Sequence, residues 1–263
     1  MKHSRKLHTL MMALFVGMAL IYSGCASEES LNTKAGFVQE PVLNPQLAKE
    51  DFAFPSRPPR LSHGKVVFEQ NCAVCHHGNL HYDKIKTERP IDTYLMLTRG
   101  DNNHPTFKNL DRDQRWEAVF YARYLGGEAD IKNKDIAAIF GSNCAVCHGT
   151  KGFADGPLYT GHGPHELGMA PVKNAFEPPP ANFHSYARMY NRTDDQMFKF
   201  ISEGVYPSAM PSWKGREDKA KGVTFDDSLI HDLVKYVRQF SYENDLEVDP
   251  SPPSSSKSKK GNT

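Results

Sequence analysis

The chain has 263 residues with five cysteines, a formal charge of +1, and 11% aromatic content. That charge excludes the basic footprint of a nucleic-acid-binding protein and the strong acidity of a disordered solvating chain. The length allows one large or two small domains.

At the N-terminus Lys2, Arg5 and Lys6 precede an apolar run from Leu10 to Tyr22. The run is short for a bilayer span and small residues follow it, which is the pattern of a secretory signal over residues 1–24. Ser23-Gly24-Cys25 resembles the end of a bacterial lipobox, with Tyr22 where leucine is usual. The resemblance implies cleavage before Cys25 and lipidation of its thiol and amine. The chain would then be exported and anchored on the periplasmic side of a bacterial membrane. An ordinary cleaved signal and a retained signal anchor are the alternatives. Removing residues 1–24 takes away three positive and no negative side chains, which brings the formal +1 to −2. Residues 25–59 read as a lipidated start and a proline-rich tether, because Pro41, Pro45, Pro55, Pro58 and Pro59 stop any long helix. Phe52 and Phe54 are suited to dock on a domain, so the last ten tether residues are expected to be held.

Further along, Cys72-Ala-Val-Cys75-His76 recurs 72 residues later as Cys144-Ala-Val-Cys147-His148. Cys-x-x-Cys-His reads as covalent attachment of a c-type haem: two thiols add to its vinyl groups and the histidine ligates iron. One helical turn brings both sulfurs to one edge of the ring and the imidazole under the metal. A thioredoxin-like redox pair or half of a zinc site would also fit a single copy. Two copies, each with phenylalanine four residues ahead (Phe68, Phe140) and glycine within two residues after, argue for haem. The motif cysteines, with His76 and His148 as proximal ligands, thus account for two covalently bound haem c groups.

In the first repeat, residues 60–127, Ser62 is placed to cap a helix carrying Val66, Val67 and Phe68 into Cys72. His77 reads as a solvated neighbour of the ligand. Ile91 to Leu97 forms a second helix that stops at Gly100. His104-Pro105-Thr106-Phe107 follows, with proline fixing the backbone after the histidine. A closing helix from about Asp113 to Leu125 carries Trp116, Val119, Phe120 and Ala122, and Gly126-Gly127 ends it. Two residues compete for the sixth position. Met96 lies inside a helical run, where methionine is more often core filler. Setting Gly100 on Gly204 and Pro105 on Pro211 puts His104 at the place of Met210. His104 is favoured, with Met96 or an open site as alternatives.

In the second repeat, residues 128–245, Asp130 to Phe140 reads as the leading helix, with Ile136, Ile139 and Phe140 facing the haem. Gly149 to His184 is glycine- and proline-rich and reads as an irregular loop around the haem edge. His162, His165 and Met169 within it read as structural or surface residues. Thr193-Asp194-Asp195 begins a helix ending at Gly204, and Met210, between Ala209 and Pro211, is the distal ligand. Asp226 or Asp227 begins the closing helix of Leu229, Ile230, Leu233, Val234 and Val237, whose Tyr236 and Arg238 match Tyr121 and Arg123. Residues 246–263 are a proline, serine and lysine tail that cannot bury enough surface to order itself.

The haem motif, the ligand before proline, and the closing helix with its tyrosine and arginine resemble class I cytochrome c domains over residues 60–245. The resemblance implies an all-α fold of two tandem domains, each wrapped around a covalently bound haem. It also implies that the helix before Cys72 crosses the closing helix near Trp116 to Tyr121, and that the helix before Cys144 does so near Leu233 to Val237. Function would be electron transfer between respiratory redox proteins, as a tethered carrier or as a subunit of a larger membrane complex. A methionine at Met210 would raise the second potential above that set by His104. The other class is a di-haem peroxidase-like enzyme, which needs one open iron; the chain is short for it and both repeats offer a distal ligand.

Overall fold

Apolar residues at three- and four-residue spacings make helices throughout the described residues, which are 54–77, 80–160 and 178–246 of this computed structural model. All lie in one compact unit, Glu40–Thr263. The signal, Cys25, Phe52, His162, His165, Met169 and the tail beyond residue 246 lie outside the described residues.

The first half comprises α1 (Leu61–Asn71), α2 (Tyr82–Ile85), α3 (Pro90–Arg99) and α4 (Arg112–Arg123), followed by a π-helical turn, Tyr124–Glu128. The second comprises α5 (Ile136–Asn143), α6 (Ala145–His148), α7 (Pro157–Thr160), α8 (Tyr186–Met189), α9 (Asp194–Glu203), α10 (Asp227–Arg238) and a closing 3-10 turn, Gln239–Ser241. A small antiparallel hairpin joins β1 (Glu217–Asp218) to β2 (Val223–Thr224), with Glu217 opposite Thr224. Strands of two residues carry no readable alternation, so the sequence gives no sign of them. The fold is otherwise helical, as expected.

Side-chain caps fix several helix starts. Asp111 and Gln114 form a reciprocal capping box on α4, and Thr193 and Gln196 form one on α9. Asp226 accepts from the Leu229 N–H at 2.8 Å to open α10. Each such cap contributes about 1 kcal/mol.

The leading helix α1 crosses α4 at Gly64, where a Cβ would overlap the Glu117 carbonyl and lie 2.8 Å from the Tyr121 Cβ. That is the crossing expected near Trp116 to Tyr121. In the second half α5 meets α10 where Phe140 packs on Tyr236, with ring centroids 5.3 Å apart, inside the expected stretch.

Two expectations are corrected. Ser62 does not cap α1, which begins at Leu61. The free N–H groups there are taken by the distant C-terminal segment: Leu61 donates to the Glu243 carbonyl at 3.0 Å, and the Ser62 N–H donates to Asp245 at 2.8 Å. A carboxylate from 183 residues away does the capping, which local reading cannot see. Likewise α5 begins at Ile136, not Asp130. The backbone N–H groups of Lys132 and Asn133 donate to the Asp232 carboxylate at 3.2 and 2.8 Å, which holds this segment against α10 instead of letting it coil.

The two halves share an interior. Trp116 is fully buried, with its ring 4.4 Å from Tyr94 in the first half and 4.6 Å from Tyr190 in the second. Phe120 packs on both Tyr190 and Tyr242. Phe54 docks on Tyr186 and Tyr190, so this end of the tether is held as expected. Beneath the aromatics lies a buried cluster of four charges. Arg123 and Arg238 both bond Asp194 Oδ1, and Glu128 lies 2.7 Å from Arg123. The charges cancel, and such a cluster is costly to break because each partner left behind is a buried uncompensated ion. Burial pushes the Glu128 carboxyl up. Burial alone would raise Asp194 too, but Arg238 and then Arg123 outweigh it and hold that carboxyl below its usual range.

Candidate haem-binding sites

Each Cys-x-x-Cys-His run forms one turn at the end of a leading helix. Cys72 N–H donates to the Phe68 carbonyl at 2.8 Å and His76 N–H to the Cys72 carbonyl at 3.0 Å. The second copy repeats this with Cys144 to Phe140 at 2.8 Å and His148 to Cys144 at 3.0 Å. Cys72, Cys75, Cys144 and Cys147 are all free thiols.

At the first motif the structure brings the His76 and His104 rings near each other in nearly parallel planes. Their ring centroids are 5.8 Å apart and their planes are 8° from parallel. Two imidazoles trans on one metal, with metal–nitrogen bonds of about 2 Å, would have centroids about 6 Å apart. Phe68 backs His76 at 6.3 Å. Burial, and then the nearby His104, lower the His76 pKa, which favours the neutral imidazole that ligates metals. His77 is exposed, whereas Met96 is half-buried against the core from α3.

His104 is set by the loop that ends α3. Gly100 closes the helix at a φ of 74°, a conformation open to glycine. Asp101 N–H then donates to the His104 carbonyl at 3.0 Å, and Phe107 N–H returns to the Leu97 carbonyl at 2.8 Å.

At the second motif His148 stacks on Phe183, with centroids 4.6 Å apart and planes 19° from parallel. Its Nδ1 lies 3.1 Å from the Ala181 carbonyl. Burial lowers the His148 pKa, and the bond to Ala181 partly offsets it. The chain after the motif folds back over it: Ala154 N–H donates to the His148 carbonyl at 2.9 Å and Gly156 N–H to the Cys147 carbonyl at 3.2 Å. A Cβ at Gly156 would overlap the Ala145 and Val146 carbonyls, which gives one physical reason for the glycine content of this stretch.

Met210 is half-buried in a loop built like that of His104. Gly204 ends α9 at a φ of 80°. Val205 N–H donates to the Met210 carbonyl at 3.1 Å, and Trp213 N–H returns to the Ile201 carbonyl at 3.0 Å. The register is the same in both loops: the residue three beyond His104 or Met210 bonds the carbonyl three before the glycine. The shared loop geometry relates Met210 to His104.

Residues 133–241 match the family described as Cytochrome c. Over these residues the chain is similar to a cytochrome c domain. Such a domain binds haem c covalently, with its iron, and serves electron transfer. No curated protein matches the chain. Among solved structures, a chain from the Kuenenia stuttgartiensis reducing HAO-like protein complex aligns at 17% identity, over 72% of this chain and 99% of that one, with a TM-score of 0.26. That likeness is too loose to bear on the fold.

The matched stretch spans Cys144, Cys147, His148 and Met210, while Cys72, Cys75, His76 and His104 precede it. Its donor set fits haem c on two counts. The imidazole is kept neutral, and the thiols are kept protonated, with burial first and then Cys147 pushing Cys144 up to about 12. Among the described residues, no group of three or more His, Cys, Asp and Glu side chains is gathered as for a bare metal ion.

Several residues at these sites escape sequence reading. Ala181 contributes only a carbonyl, and Phe183 stands 35 residues from its partner His148. Asp101 had a signal: aspartate ahead of Asn102-Asn103 marks a turn closed by its own side chain.

Proposed function

We propose that the chain is a di-haem electron-transfer cytochrome. Cys72, Cys75 and His76 would hold one haem c, and Cys144, Cys147 and His148 the other. The observation that carries this reading is the His76–His104 pair, two nearly parallel imidazoles 5.8 Å apart beside a pair of free thiols. His104 and Met210 would supply the second protein ligand at each site, a reading supported by the shared register of their loops.

Bound haem c supplies a one-electron Fe(III)/Fe(II) couple at each site. The chain sets the order. With haem c bound, a second imidazole from His104 would keep the first site low and the Met210 thioether would raise the second, so that electrons would pass from the first site to the second. Trp116, Phe120 and Tyr190 exclude water from the interior between the halves.

Lipidation of Cys25 would anchor the chain on the periplasmic side of a bacterial membrane, where it would meet respiratory redox partners or a larger membrane complex. The chain itself performs no bond chemistry in this reading.

Haem quantification with low-temperature electron paramagnetic resonance of the oxidised holoprotein tests it. Two haems per chain, giving one bis-histidine and one histidine–methionine low-spin signal, are expected. One haem, or a substantial high-spin signal, would overturn the assignment; the high-spin result would put a peroxidase-like open iron in its place. Co-purification after detergent extraction separates a complex subunit from a free carrier.

A further inference from the structure

The two imidazoles that carry a resolved Nδ1 partner at these sites differ in what that partner is. His148 Nδ1 meets a neutral backbone carbonyl, that of Ala181, at 3.1 Å. His104 Nδ1 meets a carboxylate oxygen, Asp101 Oδ1, also at 3.1 Å. The same Oδ1 accepts the backbone N–H groups of Asn103 at 2.7 Å and His104 at 2.8 Å. The oxygen is therefore fixed by the turn that places the histidine, and does not depend on the imidazole for its position.

From this geometry we infer that Asp101 is a positioning residue for the first haem: it orients His104 with Nε2 toward the metal and lowers the potential of that site below what two histidines alone would set. The inference rests on the reading of His104 as a ligand. An imidazole that ligates through Nε2 carries its proton on Nδ1, and an anionic acceptor there makes the ring a stronger donor than a neutral carbonyl does. A stronger donor stabilises the more highly charged ferric state, which lowers the potential. Asp101 also closes a turn immediately after Gly100, so one short stretch sets both the place and the donor strength of the ligand. The side chains of His104 and Asp101 are 28% and 48% exposed, so the effect is screened and weakens as ionic strength rises.

The test is a spectroelectrochemical titration of the holoprotein with electron paramagnetic resonance on the same samples. D101N keeps the side-chain oxygen that accepts the two backbone N–H groups and loses the charge. D101S keeps a turn-closing hydroxyl that is too short to serve the imidazole as well. Both variants are expected to move the first midpoint potential upward, shift the g-values of the bis-histidine signal, and leave the histidine–methionine signal and its potential in place. High salt should shrink the difference from the wild type. Unchanged potentials and g-values in both variants, with the bis-histidine signal abolished by His104→Ala, would overturn the role of Asp101 while sparing the ligand. A bis-histidine signal that survives His104→Ala would instead overturn the ligand assignment and the inference with it.

Discussion

Arg123 and Arg238, the last residues of the two closing helices, converge on a single oxygen, Asp194 Oδ1, at 3.1 and 2.6 Å. Matching positions in the two halves are thus joined through one acceptor at the start of α9. The prediction is that D194N destabilises the holoprotein by about 3–5 kcal/mol, because two guanidinium groups stay buried with one carboxylate between them. The gap should depend on pH in a defined sense. The folded Asp194 carboxyl lies below its unfolded value of about 3.9. Its contribution is therefore complete above about pH 5 and is lost as pH falls through the folded value. Thermal unfolding of the wild type and D194N from pH 7 to pH 3 checks this; a gap that widens in acid would refute it.

Gly64 is where α1 and α4 come closest. Gly64→Ala pushes a methyl group into the Glu117 carbonyl, which is backbone and cannot rotate away. A loss of about 1–3 kcal/mol is expected. It should appear as a lower urea midpoint with an unchanged slope. Gly141, on the second leading helix, has nothing within 4 Å of its would-be Cβ, so Gly141→Ala should be neutral or slightly stabilising.

The paired loops give a crossed prediction. A Cβ at Gly100 would stand 2.9 Å from the His104 carbonyl, and one at Gly204 would stand 2.8 Å from the Met210 carbonyl. Each alanine replacement should cost about 1–3 kcal/mol, since both glycines have positive φ. More telling is selectivity: Gly204→Ala should diminish the histidine–methionine signal alone, and Gly100→Ala the bis-histidine signal alone. Loss of both signals in either variant would show that the loops do not act independently.

Phe183 lies against His148 and also contacts Phe140 and Phe240. Phe183→Ala should cost about 3–5 kcal/mol through the cavity it leaves. The freed imidazole should broaden the signal from the second site without altering the first.

Much of this was legible in the chain. The two motif turns, the glycine stops at Gly100 and Gly204, the caps at Thr193 and Asp226, and the apolar sets of the closing helices all depend on neighbours within a few residues, where periodicity and capping chemistry act. The alignment of His104 with Met210 also came from local punctuation, a glycine before and a proline after. What escaped was set at long range. Asp245 caps α1, Asp232 holds Lys132 and Asn133 off the helix, and Asp194 draws Arg123 and Arg238 together. In each case a carboxylate satisfies donors far away along the chain, and no spacing rule encodes that meeting.

The clasp at the ends of the described chain bears on how this protein can be divided. Leu61 N–H donates to the Glu243 carbonyl, and Glu243 N–H donates to the Pro59 carbonyl at 2.8 Å, so the two ends close on each other. A fragment cut to residues 133–241 would stop short of that clasp, leave Asp194 with one of its two arginines, and turn Tyr190 to solvent where Trp116 and Phe120 had covered it. Such an excised piece would need a redesigned surface before it could stand alone: the unit that folds is larger than residues 133–241.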